Sequence, residues 1–177
     1  MVTLELTRRY GAPGFTWGTM KEPQTGFSCH TMERRDPKHW RGMKNYCAIP
    51  AGRYKLRVIT RDNLKLNLKL LMSGTYRNAE FADAKVPNDQ PAGSICVGKS
   101  INRDKCQLEG GEVVLDGIDA WIRRLMYDGR VSTKMKTGEL ELVVNYAEGY
   151  YYDEQATDRK EEEQHEEECD TSFDFAE

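Results

Sequence analysis

The chain of 177 residues is long enough for one domain with a hydrophobic core and too short for two domains of ordinary size. Its 38% hydrophobic and 31% charged residues, with a net charge of −3, are typical of a globular protein, and its short apolar runs exclude a transmembrane helix. The first ten residues, MVTLELTRRY, lack the apolar core of a signal peptide, so we expect a cytoplasmic protein without a membrane span.

The first 72 residues carry strand patterns almost throughout. Val2, Leu4 and Leu6 alternate with polar residues, as in a strand with one buried face. A polar connector over residues 34–46 separates the third predicted strand from the fourth. The five predicted strands cover residues 2–8, 15–21, 27–33, 53–58 and 64–72.

The next 80 or so residues are expected to change from loop to helix to strand. Residues 73–93 are rich in glycine, proline, asparagine and aspartate and predict a long irregular loop before a short strand at 94–97. Asp116 can cap a helix that Gly129 ends, and residues 138–146 predict a closing strand. The apolar stripe of this helix is formed by Leu115, Ile118, Ile122 and Leu125.

The chain from Asp153 onward is strongly acidic. Residues 153–177 hold twelve acids and two bases, a net charge of −10, whereas residues 1–152 carry a net charge of +7. We predict a disordered tail in which Phe173 and Phe175 are candidate docking residues for a protein partner. The predicted fold is α+β, mainly β: one domain over 1–152, a sheet or partly open barrel with one packed helix, then the tail over 153–177.

The five cysteines and three histidines show no spacing typical of a metal or redox site. No two cysteines are separated by only two residues, and their number is odd. We therefore expect reduced thiols, no metal and no cofactor. These residues are Cys29, Cys47, Cys96, Cys106, Cys169, His30, His39 and His165.

Several segments, in order along residues 2–146, resemble a family of small domains of unknown function from phages and gut-type bacteria. They read TWGTM, FSCHTMER, AIPAGRY and GSICVG, and an Asn-Tyr pair ends the last strand. The most specific segment is AIPAGRY, residues 48–54, and Glu33 occupies the position of a glutamate of the family. The histidine-x-glycine-asparagine and glycine-cysteine segments of that family look like the active site of L,D-transpeptidases of peptidoglycan.

This resemblance implies a thiol nucleophile activated by an imidazole, and the sequence departs from it at those positions. Ser94 stands in place of the cysteine, with Cys96 two residues later, while Met72 and Thr75 replace the histidine and asparagine. The candidate catalytic residues are therefore Ser94 or Cys96, with His30 as base from a strand that could pass nearby. Because a serine without a base is a poor nucleophile, we expect a degenerate active site.

The resemblance and the charge pattern also indicate binding residues. Asp89 lies near an aspartate of the family, and Arg53 and Tyr54 belong to a basic and aromatic first third of the chain. The leading hypothesis is a phage-type or bacterial accessory protein that binds a cell-wall fragment or a protein partner without catalysis. The alternatives are a peptidoglycan hydrolase or transpeptidase using Cys96 or Ser94, and a less favoured single-stranded nucleic-acid-binding module with an autoinhibitory tail.

Overall fold

The computed structural model describes residues 1–134 and 138–156, and it confirms the predicted α+β, mainly β, class. In these described residues one α-helix, α1 (Gly111–Tyr127), accompanies ten strands. The strands are β1 (Val2–Ala12), β2 (Phe15–Lys21), β3 (Ser28–Glu33), β4 (Gly52–Thr60), β5 (Leu66–Leu70), β6 (Phe81–Ala82), β7 (Ile95–Gly98), β8 (Ser100–Asn102), β9 (Gln107–Glu109) and β10 (Leu140–Tyr152). Short 3-10 turns lie at Pro37–His39, Lys44–Tyr46, Gly74–Tyr76 and Pro87–Asp89.

Eight strands form one sheet that curls into a nearly closed barrel. Their order is β5-β4-β10-β1-β2-β3-β7-β6, and β1 and β10 run parallel while most other neighbours are antiparallel. The two outer strands meet through an isolated bridge between Lys69 and Glu80 and a hydrogen bond from the amide of Leu70 to the carbonyl of Ala79 (2.9 Å). This seam leaves little free strand edge.

The inward side chains of the strands and the apolar stripe of α1 form one core. Leu4, Leu6 and Leu142 fill the barrel and are fully buried, as is Ile118 of the helix. The helix covers the end of the barrel at which β3 and β5 begin, where the side chain of Asp119 accepts a hydrogen bond from the amide of Leu66 (2.7 Å). The opposite end is therefore left to the connecting loops.

The structure corrects the predicted start of the helix. It begins at Gly111, and Asp116 lies inside it, where its carboxylate pairs with Lys65. Gly110 precedes the helix with φ of 73°, and a Cβ on Gly111 would lie 2.3 Å from Oδ1 of Asp83. This close contact requires glycine at the first turn. A helix start of this kind has no polar capping residue by which the sequence could reveal it.

Other differences concern strand boundaries. Leu64, predicted in a strand, is 76% exposed in a turn before β5, and the closing strand extends beyond residue 146 to Tyr152. The β8–β9 hairpin has no counterpart among the predicted elements, and β6 lies inside the predicted loop of residues 73–93. Among the residues described, no helix combines the length and the apolar character that crossing a bilayer requires.

Candidate functional site

Two chain segments cover the barrel end opposite the helix. The first, residues 34–51, joins β3 to β4, and the second includes residues 71–80 and 87–94 around β6. Arg34 ties them together, because its guanidinium donates to the carbonyl of Asn45 in the first segment and to that of Gln90 in the second (2.6 Å). We call this the connector end of the barrel.

A buried ion pair forms the floor of the connector end. Arg8 is fully buried, and its Nε and Nη2 donate to the two carboxylate oxygens of Glu33 at 2.9 and 2.8 Å. Nη2 also donates to the carbonyl of Ile49 (2.6 Å), which anchors the AIPAGRY segment to the barrel interior. Although burial opposes the charge, the Glu33 carboxylate raises the pKa of Arg8 above its ordinary value, so the guanidinium stays protonated.

A second polar cluster, centred on Asp36, lies above this ion pair. Tyr146 donates its hydroxyl to Asp36 Oδ1 (2.6 Å), Tyr150 donates to Oδ2, and the amide of Lys38 donates to Oδ1 (2.9 Å). Burial opposes ionisation of Asp36, but these hydrogen bonds hold the pKa of its carboxyl below the ordinary value. The negative charge of Asp36 is therefore directed inward, away from the solvent-exposed side of the connector.

Ser94 lies in the second of the two segments at the connector end. It is 3% exposed, and its Oγ accepts a hydrogen bond from the amide of Glu80 (3.3 Å). The preceding Gly93 has φ of 81°, and a Cβ there would lie 2.7 Å from the ring of Tyr76 and 3.0 Å from Ile49. The turn that carries Ser94 is thus packed against neighbouring side chains on more than one side.

Cys96 and His30 share one face of the sheet but are not joined. In the β3–β7 register, His30 is opposite Gly98 and Met32 is opposite Cys96, which sets His30 and Cys96 in diagonal positions, typically about 7–8 Å apart. No hydrogen bond joins His30 to Cys96 or Ser94 in the described part of the chain. Cys96 is fully buried, and burial raises the pKa of its thiol to about 12.

The solvent side of residues 34–47 is basic and aromatic, and we call it the connector face. Residues 34–47 contain five cations and one acid, a net charge of +4, and the acid, Asp36, is buried rather than on this face. Several of its cations and rings stack: Arg35 lies 4.3 Å from the ring of Trp40, and His39 stacks on Tyr152 at 3.8 Å. Such stacking fixes the orientation of the planar groups.

Residues of the connector face line two cavities. One, of about 270 Å³, is lined by Pro37, Trp40, Arg41, Gly42, Lys44, Cys47, Pro50 and Tyr76. The other, of about 370 Å³, is lined by Gly14, Arg34, Arg35, Tyr46 and Asn88. Among the residues that the structure describes, neither lining includes an acid, so both cavities favour a negatively charged occupant.

The remaining predicted binding residues occupy different surroundings. Asp89 is exposed at the end of the Pro87–Asp89 turn, and Arg53, with a side chain 73% exposed, pairs with Glu141 on the outer wall (2.9 Å). Tyr54 packs against the core and donates its hydroxyl to the carbonyl of Pro50, which fixes the AIPAGRY turn. Phe173 and Phe175 lie outside the described residues, as does the predicted disorder of the tail from residue 157.

Sequence reasoning missed the polar interior of the connector end. Arg8 continues the inward alternation of Val2, Leu4 and Leu6. An arginine at such an inward position predicts a buried acidic partner, because a buried charge requires one. Met72, at the position of the expected histidine, packs against the core. Within residues 1–134 and 138–156, no three histidine, cysteine, aspartate or glutamate side chains come together as a metal site requires.

Comparison of the chain with protein-family models, with curated proteins and with solved structures finds no match in any of the three.

The burial of Cys96 predicts an unreactive thiol. Because its pKa of about 12 keeps it protonated at neutral pH, a thiol reagent added to the native protein at pH 7.5 should modify the partly exposed Cys106 before Cys96. Peptide mass spectrometry of the modified chain measures both sites, and Cys106 serves as the internal control. Faster labelling of Cys96 than of Cys106 below pH 8 would contradict this prediction.

Proposed function

We propose that the chain is a phage-type or bacterial accessory protein, acting in the cytoplasm, that binds its ligand at the connector face without catalysis. The observation that carries this proposal is the contrast at one end of the barrel. Ser94 and Cys96 are buried and, within the described part of the chain, have no hydrogen bond to a histidine, whereas the connector face beside them is exposed at Arg41, Lys44 and Tyr46. A group that must reach a substrate atom needs access and a base, while a binding surface needs only exposed, oriented contacts.

The chemistry of the connector face favours a peptide that carries carboxylates. Arginine guanidinium groups bind carboxylates through two parallel hydrogen bonds, and ring faces such as that of Trp40 pack against the aliphatic parts of a peptide. A stem peptide of peptidoglycan and an acidic segment of a protein partner both have this chemistry. The resemblance of residues 2–146 to a family with L,D-transpeptidase-like segments supports the cell-wall fragment as the first ligand to test.

Stacked cations and rings also favour a second candidate function, the binding of single-stranded nucleic acid. Lys38 Nζ lies 3.9 Å from the ring centre of Tyr146, and Arg35 covers Trp40 in the same segment. Aromatic rings that stack bases and cations that contact phosphates are the usual elements of such sites. An oligonucleotide is therefore the second ligand in the binding experiment.

Calorimetric titration of the full chain with a peptidoglycan stem peptide tests the proposal. The double variant Arg41→Glu and Lys44→Glu should bind at least ~10-fold more weakly, because each lost charge-assisted hydrogen bond is worth about 1.5–3 kcal/mol. The control variant Lys55→Glu and Arg57→Glu makes the same charge change on the exposed outer wall of β4 and should keep its affinity.

Three outcomes decide between the candidate functions. Binding of an oligodeoxythymidine but not of the stem peptide, with a steep loss of affinity at high salt, favours the nucleic-acid function. Equal loss of affinity in the two double variants overturns the connector face as the site. Cleavage or transfer of the stem peptide that Ser94→Ala or Cys96→Ala abolishes overturns the absence of catalysis.

A further inference from the structure

We propose that residues 157–177, the part of the acidic tail that follows the described residues, dock on the connector face of the same molecule. In this proposal the tail means residues 157–177. The described chain leads directly to this face. Tyr152 at the end of β10 stacks on His39 with ring centres 3.8 Å apart. Asp153 is then held by the carbonyl of Gly11 (2.8 Å) and the hydroxyl of Tyr10 (3.0 Å), so the tail departs from a fixed point beside the connector.

The cations of the connector face have no acidic partner in the rest of the described structure. None of the ion pairs among residues 1–134 and 138–156 involves Arg34, Arg35, Lys38, Arg41 or Lys44. The one acid of residues 34–47, Asp36, is 1% exposed and is occupied by two tyrosine hydroxyls. The connector face is thus positively charged and is not neutralised by ion pairs within the described residues.

The tail has the complementary charge. Residues 161–177 contain nine acids and no lysine or arginine. The 21 residues of the tail reach up to ~70 Å when fully extended, so every point of the connector face is within reach of the acids. A flexible tether of this length gives an effective concentration of about millimolar order, which would favour docking within the chain over docking between chains.

The end of the tail matches the smaller cavity in its apolar character as well. Phe173 and Phe175 lie on either side of Asp174 in the last segment, DTSFDFAE. The 270 Å³ cavity places the rings of Trp40 and Tyr76 beside the cations of Arg41 and Lys44. Phe173 or Phe175, together with the adjacent carboxylate of Asp174, would contact rings and cations there at the same time.

The consequence of this docking rests on the proposed function. The tail would occupy the connector face as an internal acidic peptide, and a ligand of the same chemistry would have to displace it. The apparent ligand affinity of the full chain would then equal the intrinsic affinity multiplied by the fraction of molecules in which the face is free.

Paramagnetic labelling of the full chain tests the docking without any ligand. Cys29, Cys47 and Cys96 are buried, so the Cys106→Ser variant leaves Cys169 in the tail as the position for a nitroxide label. At low salt we expect the NMR signals of the amides of residues 38–46 and of the indole of Trp40 to lose most of their intensity. The loss should disappear in 1 M salt and in the Arg41→Glu and Lys44→Glu variant, while the Lys55→Glu and Arg57→Glu control should retain it.

Other results would overturn the docking. Broadening that is spread evenly over the barrel, or that survives the charge reversal at Arg41 and Lys44, contradicts it. An isotope-enriched chain without nitroxide can be mixed with nitroxide-labelled chain. Broadening of the NMR signals of the enriched chain would then show docking between molecules and would contradict the intramolecular proposal. If the signals of the connector face are not broadened, the docking is refuted whether or not the stem peptide binds. If they are broadened but the stem peptide does not bind, only the proposed function is refuted.

Discussion

Replacing Glu33 by glutamine is expected to lower the free energy of unfolding by about 3–5 kcal/mol, since the change leaves the guanidinium of Arg8 buried without a counter-ion. The two side chains are 0% and 2% exposed, so water cannot replace the lost carboxylate. Urea denaturation followed by tryptophan fluorescence measures the effect. Arg8→Met should be similarly destabilising, because it leaves the buried carboxylate of Glu33 without its cation.

An exposed ion pair provides the matched control for this prediction. Arg53 pairs with Glu141 at 2.9 Å, but the arginine side chain is 73% exposed. The Arg53→Met variant should therefore change the free energy of unfolding by about 1 kcal/mol or less. Combining Arg8→Met with Glu33→Leu removes both buried charges and should restore part of the lost stability. A loss below about 1 kcal/mol for Glu33→Gln would contradict the interior role of the pair.

Truncating Ile118 to alanine is expected to lower the free energy of unfolding by about 2–5 kcal/mol. This side chain is fully buried where α1 covers the barrel, so its removal leaves a cavity between the helix and the strand interior. Val113 lies in the same helix and is 61% exposed, which makes Val113→Ala the control, with an expected change within ~0.5 kcal/mol. Equal effects of the two substitutions in urea denaturation would mean that the helix does not close the core.

The fold class could be predicted because local patterns carry it. The alternation of Val2, Leu4 and Leu6 and the stripe that includes Ile118 and Ile122 each match the period of the element that forms. The start of the helix could not be predicted in this way, since it depends on the contact of Gly111 with Asp83, a residue distant in sequence.

The candidate site is less accessible to sequence reasoning for a related reason. The composition of the connector predicts a polar and basic segment, but its meeting with the loop of Ser94 depends on how the barrel curls. Arg8 and Glu33 are 25 residues apart, and only the inward faces of β1 and β3 bring them together. The same folding buries Asp36, the one acid of residues 34–47, so that the exposed charges of this segment are all positive.

The position of β10 in the sheet sets the order in which the barrel can be completed during synthesis. This strand lies between β1 and β4, and residues 140–144 pair with both. Until the ribosome has released residues 140–152, the first strand and the β4–β5 ribbon each have an unpaired edge, and the barrel wall is open. The nascent chain of residues 1–139 therefore exposes unpaired strand edges that can pair with other chains. A chain that ends prematurely within this range is expected to aggregate.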